Sequence, residues 1–202
     1  LRGRSVLSEL LAIDGVRIVA VADVVADKTA RASKMCIDAG KPAPEVYTDG
    51  ERDFERLVAR DDIDFVYTAT PWEWHVPVML AALKAGKNVF CEKPLAVTGD
   101  QLQEIREQLP VTSSQAQITV GFNRRFAPLA ARLHAFIADR SEPLVAHYRV
   151  NAGYIPRNHW LHDPQQGGGR ILGEGCHFSD FLIFLVGAAP VSGPTSHLRC
   201  RT

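Results

Sequence analysis

The sequence predicts an α/β chain: a parallel sheet with helices between its strands, followed by an incomplete α+β domain. Three observations predict it. Short β-branched apolar runs recur at 16–22 (VRIVAVA), 63–69 (IDFVYTA), 88–91 (NVFC) and, more weakly, 117–121 (QITVG), the texture of strands buried on both faces. Segments of helical periodicity separate them, and that alternation builds βαβ units. Beyond Arg125 the alternation stops and a different texture begins.

Each element has its own signal. Leu7, Leu10 and Leu11 open the chain with a helical pattern. Residues 27–39 fit a helix stopped by Gly40. Residues 50–59 place Phe54, Leu57 and Val58 at helical spacing. Residues 74–85 do the same with Met79, Leu80 and Leu83, and Gly86 ends them. Thr98 and Gln101 form a capping-box pattern ahead of Leu102, Ile105 and Leu109. Pro128 suits the first turn of a helix running to about Ala138, with Leu129, Leu133, Phe136 and Ile137 on one face. Residues 143–150 (PLVAHYRV) read as a strand and 151–170 as a loop rich in Gly, Pro, Asn, His and Trp. A last helix is expected over 174–186, with Phe178, Phe181, Leu182 and Leu185 on its apolar face and Gly187 at its end. The domain boundary is placed between 123 and 124, giving domains 1–123 and 124–202.

Composition narrows the function classes. Of 202 residues, 46% are hydrophobic and 23% charged, with formal net charge zero, so neither nucleic acid nor an anionic membrane surface is an expected partner. No apolar run approaches the roughly 20 residues of a membrane helix. Cys36, Cys91, Cys176 and Cys200 form no CxxC pair and read as reduced thiols of a cytoplasmic protein. The chain opens at Leu1 in a helical pattern and ends in a polar stretch, PTSHLRCRT. Both ends read as cuts through something larger, with a first strand missing.

Ligands on parallel α/β sheets lie beyond the carboxyl ends of the strands. That rule selects Asp23, Thr70-Pro71, Glu92-Lys93-Pro94 and Phe122-Asn123-Arg124. Asp23 can accept hydrogen bonds from both ribose hydroxyls of an adenine dinucleotide. The glycine fingerprint expected about 20 residues earlier is not in the sequence, although Gly3 stands where its last glycine would fall. Thr70-Pro71-Trp72-Glu73-Trp74-His75 follows a strand and opens a helix, whose N-terminus attracts anionic or polar groups; a plain strand–helix connection also accounts for it. Lys93 at a sheet edge can hydrogen-bond a substrate hydroxyl; a surface Glu-Lys pair is the simpler reading of Glu92-Lys93.

The segment AGKNVFCEKPLAVT resembles the EKP signature of the glucose–fructose oxidoreductase/inositol dehydrogenase (Gfo/Idh/MocA) family. VRIVAVADV before it and ITVGFNRRFAP after it stand in the family's order, and GGGRILGEGCHFSDFLIFLVG is similar to the family's GGGxxxDxGxHxxD helix start. The likeness runs from about residue 3 to 187. It implies a Rossmann-type sheet, NAD as cofactor (NADP being possible), a sugar-like substrate and a homo-oligomer in the full-length parent. Asp23 would face the adenosine ribose. Gly3 would close the phosphate loop. Thr70, Pro71 and His75 would line the dinucleotide groove, Glu92 and Lys93 would border the nicotinamide, and Asn123 and Arg124 would lie near the domain junction. Trp160 would pack near nicotinamide or substrate. His177 matches the family's catalytic histidine and Asp180 the second acid. The first acid falls on Gly173, with Glu174 next to it. Glu174 and Asp180 are each three residues from His177, so either shares its helix face.

The implied reaction is hydride transfer between a sugar, cyclitol or sugar-derivative hydroxyl and nicotinamide. His177 would take the proton and Lys93 would stabilise the alkoxide. Three readings compete. PEVYTDGERDFERL…YTATPWEWHVPVMLAAL resembles the NAD-dependent glycosidases of the same superfamily. His159, His162, Asp163, Glu174 and His177 offer metal-ligand chemistry, but the first pair lies in a loop, so no metal is expected. The third is a fragment without activity.

Overall fold

The structure is a computed structural model that describes residues 2–112, 116–163 and 167–188. It divides into two compact units. The first holds the described residues through Gly121 together with Pro156–Gly173; the second holds Phe122–Ile155 and the described residues from Glu174 on.

The first unit is the α/β part. Its elements run α1 (Arg2–Leu11), β1 (Ala20–Ala22), α2 (Ala26–Asp38), β2 (Glu45–Tyr47), α3 (Phe54–Val58), β3 (Phe65–Thr68), α4 (His75–Lys84), β4 (Asn88–Cys91), α5 (Gly99–Thr112) and β5 (Ile118–Val120). All pairings are parallel. β1 pairs with β2, and β4 lies between β3 and β5 in a three-stranded sheet. The Rossmann-type α/β expectation is met in the order of elements. β1, β3 and β5 are shorter than the apolar runs that announced them, β4 matches its run at 88–91, and β2 was not expected at all.

Register puts the period of two to use. Val66 pairs with Val89 and Thr68 with Cys91, and these four side chains are buried beneath α4. Tyr67 and Phe90 pair on the opposite face, with rings 5.7 Å apart. The face under α4 is buried, whereas the opposite face is only partly covered, with Tyr67 and Phe90 half-buried and Phe65 exposed. α4 is the centre of the core: Val76, Met79 and Ala82 are fully shielded and Leu83 nearly so, packed with Phe54, Val58, Ile63 and Ile105 from its neighbours. Burying side chains of this size contributes about 1.5–3 kcal/mol each. Half of the expected capping box forms ahead of α5: Thr98 caps the Gln101 N–H, but the Gln101 side chain reaches one residue further back, to Val97 rather than Thr98. The Gln101 N–H donates to Thr98 Oγ1 at 3.2 Å, and Gln101 Oε1 accepts from the Val97 N–H at 2.9 Å.

The second unit contributes α6 (Pro128–Ala138) and α7 (Cys176–Val186). Pro128 occupies the first helical position, and Gly187 ends α7 at φ +75°, a conformation glycine adopts at little cost. A wider π-type turn at Ile171–Gly175 leads into α7, so the helix starts two residues later than expected. The strand expected at 143–150 does not form: the segment has no regular structure, and Val145 is almost fully exposed. A strand needs a neighbour to satisfy its N–H and C=O groups, and no strand pairs with this segment among the described residues. No described helix is long and apolar enough to cross a membrane. Among the described residues Cys36, Cys91 and Cys176 form no disulfide; Cys200 lies outside the described residues.

Candidate functional site

The first unit gathers its candidate residues at the carboxyl ends of β1, β3 and β4. Asp23 follows β1, and its Oδ1 accepts from the Val25 N–H at 2.9 Å and from Lys28 Nζ at 3.2 Å. Its Oδ2 accepts no bond among the described residues. Gly3 lies in the first turn of α1, where an added Cβ would stand 3.9 Å from Ala69 Cβ, just past β3. The start of α1 therefore lies beside the end of the β3 strand.

His75 is buried and turns both ring nitrogens to main-chain carbonyls. Nδ1 lies 2.7 Å from the Pro94 oxygen and Nε2 3.1 Å from the Thr70 oxygen. It staples the loop after β3 to the loop after β4. Burial holds its pKa below the ordinary histidine range, against the opposing pull of the two carbonyls. Pro71 precedes a short turn at Trp72–Trp74 that leads into α4. The Thr70 hydroxyl lies 3.3 Å from that of Thr68.

Glu92 is buried and committed to its neighbours. Its Oε1 accepts from Arg2 Nε at 2.7 Å and from the Tyr67 hydroxyl at 3.1 Å. Burial, then the Glu92 charge, push the Tyr67 phenol well above its ordinary value, and burial pushes the Cys91 thiol up to about 12. Gly121 lies close beside this carboxylate: a Cβ there would stand 3.2 Å from Glu92 Oε2 and 3.3 Å from the Phe90 ring, a tight approach that both side chains would have to yield to.

Lys93 sits in an aromatic corner. Its ammonium donates to the Gly173 carbonyl at 2.7 Å and lies 5.6 Å from the centre of the Trp72 ring. Trp72 packs edge-on against Trp160 at 4.9 Å, and Trp160 is 48% exposed. This corner explains the departure at Gly173. A Cβ there would come within 2.9 Å of both the Trp72 ring and Leu161 Cδ1, so an acidic side chain has no room. The triple glycine has a local reason too. A Cβ on Gly167 would overlap the Leu161 main chain, and Gly168 and Gly169 take φ of +60° and +90°. His159 Nδ1 accepts from the Leu161 N–H at 3.2 Å and caps the turn at Trp160–His162. Among the described residues no cluster of three His, Cys, Asp or Glu is placed to hold a metal ion.

The second unit carries Asn123, Arg124, Glu174, His177 and Asp180. Arg124 donates to the Tyr148 hydroxyl at 2.7 Å and lies over the Phe178 ring at 4.7 Å. Asp180 is buried and receives both arms of Arg125, one through Nε at 3.2 Å and one through Nη2. His177 packs edge-on against Phe122 at 6.0 Å. Asn123 precedes the turn Arg124–Phe126, and Glu174 lies in the turn leading into α7. Sequence reasoning missed Arg2, Tyr67, Arg125 and Tyr148. Arg125 had a signal: an acid among Phe178, Phe181, Leu182 and Phe184 needs a cation when buried.

The model of the oxidoreductase family with an NAD-binding Rossmann fold matches residues 3–122. The chain belongs to this Gfo/Idh/MocA family. A glycosyl hydrolase family 109 protein of Saccharopolyspora erythraea is 52% identical over 104 residues, which cover 52% of this chain and 23% of that protein. The alpha-N-acetylgalactosaminidase of Shewanella oneidensis is 32% identical over 122 residues, covering 60% and 27%. The structure of scyllo-inositol dehydrogenase from Lactobacillus casei, with bound NAD(H) and scyllo-inositol, superposes with a TM-score of 0.59 at 25% identity. It covers 68% of this chain and 38% of that one. The matched part thus spans well under half the length of each relative.

The family's cofactor is NAD, and the first unit fits it on its own geometry. At the end of an apolar strand, Asp23 Oδ2 could accept from a ribose hydroxyl, and a carboxylate there would repel a 2′-phosphate. The first turn of α1, where Gly3 stands, lies close to the end of β3. Bound there, the dinucleotide would supply hydride transfer.

Proposed function

We propose that this chain is the cofactor-binding portion of an enzyme that uses NAD to carry out hydride chemistry on a hydroxyl of a sugar, cyclitol or sugar derivative. The supporting observation is the corner at Lys93. An ammonium held by a main-chain carbonyl and an aromatic face at a strand's carboxyl end is fixed in place before any ligand arrives. A fixed cation stabilises a developing alkoxide without reorganising.

In this reading Asp23, Gly3, Thr70, Pro71 and the loop clamped by His75 hold the cofactor, with Glu92 keeping the edge of β4 in shape. Asn123, Arg124 and Trp160 border it. Lys93 steadies the substrate oxygen, and His177, oriented by Glu174 or Asp180, takes the hydroxyl proton. The setting is the cytoplasm and the working form a homo-oligomer.

Two outcomes share this chemistry. The resemblance of the EKP and GGGRILGEGCH segments favours net oxidation with release of NADH. The 52% identity to a glycosyl hydrolase family 109 protein favours a redox-neutral glycosidase. Turnover of a cyclitol and of an aryl α-N-acetylgalactosaminide, followed at the NADH band and at the released phenol, separates them. Phenol released without net NADH supports the glycosidase. In either case His177→Ala should lower turnover by about 10²-fold or more with NAD affinity within about threefold. Turnover unchanged in His177→Ala refutes the assignment.

A further inference from the structure

The segment Phe122–Phe126 touches α7 at three successive levels. Phe122 packs edge-on against the His177 ring at 6.0 Å. Arg124 lies over Phe178 at 4.7 Å and is tied to Tyr148, whose ring meets Phe178 and Phe181 at 5.5 Å each. Arg125 forks onto the Asp180 carboxylate and spreads over the Phe184 ring at 5.5 Å. Contacts at 177, 178, 180 and 184 fall on neighbouring faces of the same two turns.

We infer that Arg125 is a positioning residue: its fork on Asp180 sets the rotation of α7 about its axis and thereby the bearing of the His177 ring. The inference rests on the reading of His177 as the proton acceptor. The physical case has two parts. A planar guanidinium on a carboxylate is a directional, two-point contact. One residue of helical rotation swings a side chain by about 100°, so a single loose contact would not hold the imidazole. Phe122 packs edge-on against the same ring. Asp180 is thus engaged by Arg125 through both oxygens, and its effect on His177 runs through the helix.

Three variants of the full chain carry the test: Arg125→Lys, which keeps the charge and loses the fork; Arg125→Leu; and Arg125→Leu with Asp180→Leu, which leaves no charge stranded. The readouts are melting temperature, kcat and KM, and the ring carbon-bound proton signals of His177 by NMR. Positioning predicts that Arg125→Lys loses about tenfold or more in kcat with KM for NAD within about threefold, and that His177 signals shift. It also predicts that the double Leu variant regains melting temperature over Arg125→Leu without regaining kcat. A double variant that recovers kcat along with stability overturns the inference, as do His177 signals that stay in place in Arg125→Lys. Should Arg125→Leu not fold, the kcat loss and signal shift in Arg125→Lys decide alone. The NMR result stands even if His177→Ala keeps its turnover, so a failed positioning role and a failed base assignment are told apart.

Discussion

At the scale of single residues, Gly173 shows what a sequence states and what it withholds. The missing acid was visible from the motif alone. Its cause was not, because Trp72 lies about a hundred positions away and fills the room a side chain would need. Gly173→Asp should therefore destabilise the protein by about 1–3 kcal/mol through overpacking. Trp72→Ala in the same chain should cancel part of that cost, a coupling that a double-mutant cycle of melting curves reads directly. Strict additivity would mean that the two sites do not share space. His75 makes a second case. Burial holds its folded pKa below its ordinary value, so the unfolded chain takes up the proton first as pH falls. Its contribution is complete above about pH 6.5 and shrinks below it. The stability gap between wild type and His75→Leu should narrow as the pH is lowered from about 7.5 to about 5.5 in denaturant titrations. A gap that widens would show that the ring carries its proton in the folded state.

At the scale of elements, local signals were read well where the chain pays attention to its immediate neighbours. Thr98 and Gln101 announced the start of α5, and both side chains hydrogen-bond main-chain N–H groups there. Thr98→Ala should cost about 1 kcal/mol, seen as a lower melting temperature, while an exposed position in mid-helix such as Gln103→Ala should change it little. Strands were harder, for a physical reason. Glu45–Tyr47 is a three-residue edge strand between Pro44 and the polar Thr48-Asp49, too short to show a period. Residues 143–150 carry the right alternation, but no neighbour pairs with them among the described residues. Alternation describes a side-chain pattern, whereas a ladder needs a second chain segment. The candidate site divides the same way. Strand-end positions such as Asp23 and Lys93 follow from a topological rule. Partners such as Arg2 for Glu92 and Arg125 for Asp180 lie 90 and 55 positions away and are set only by folding.

At the scale of the whole molecule, the chain's path matters more than its linear order. The texture change after Arg125 suggested a cut between 123 and 124, yet Pro156–Gly173 packs with the first unit. That returning segment supplies the carbonyl that holds Lys93, the Trp160 edge against Trp72, and Leu161, which is itself buried. A chain ended at residue 123 keeps every strand and the α4 core but loses these contacts. It should still fold, with a melting temperature lower by several degrees, since about 1 kcal/mol corresponds to roughly 4–8 °C in a domain of about this size. Tryptophan emission should also move to longer wavelength as Trp72 loses its cover. Adding Trp160→Ala to the 202-residue chain should reproduce part of the emission shift with little loss of melting temperature, because Trp160 is half exposed. A shortened chain with unchanged melting and emission would mean that residues 156–173 rest on the first unit without stabilising it, and the fixed ammonium at Lys93 would then need another source of rigidity.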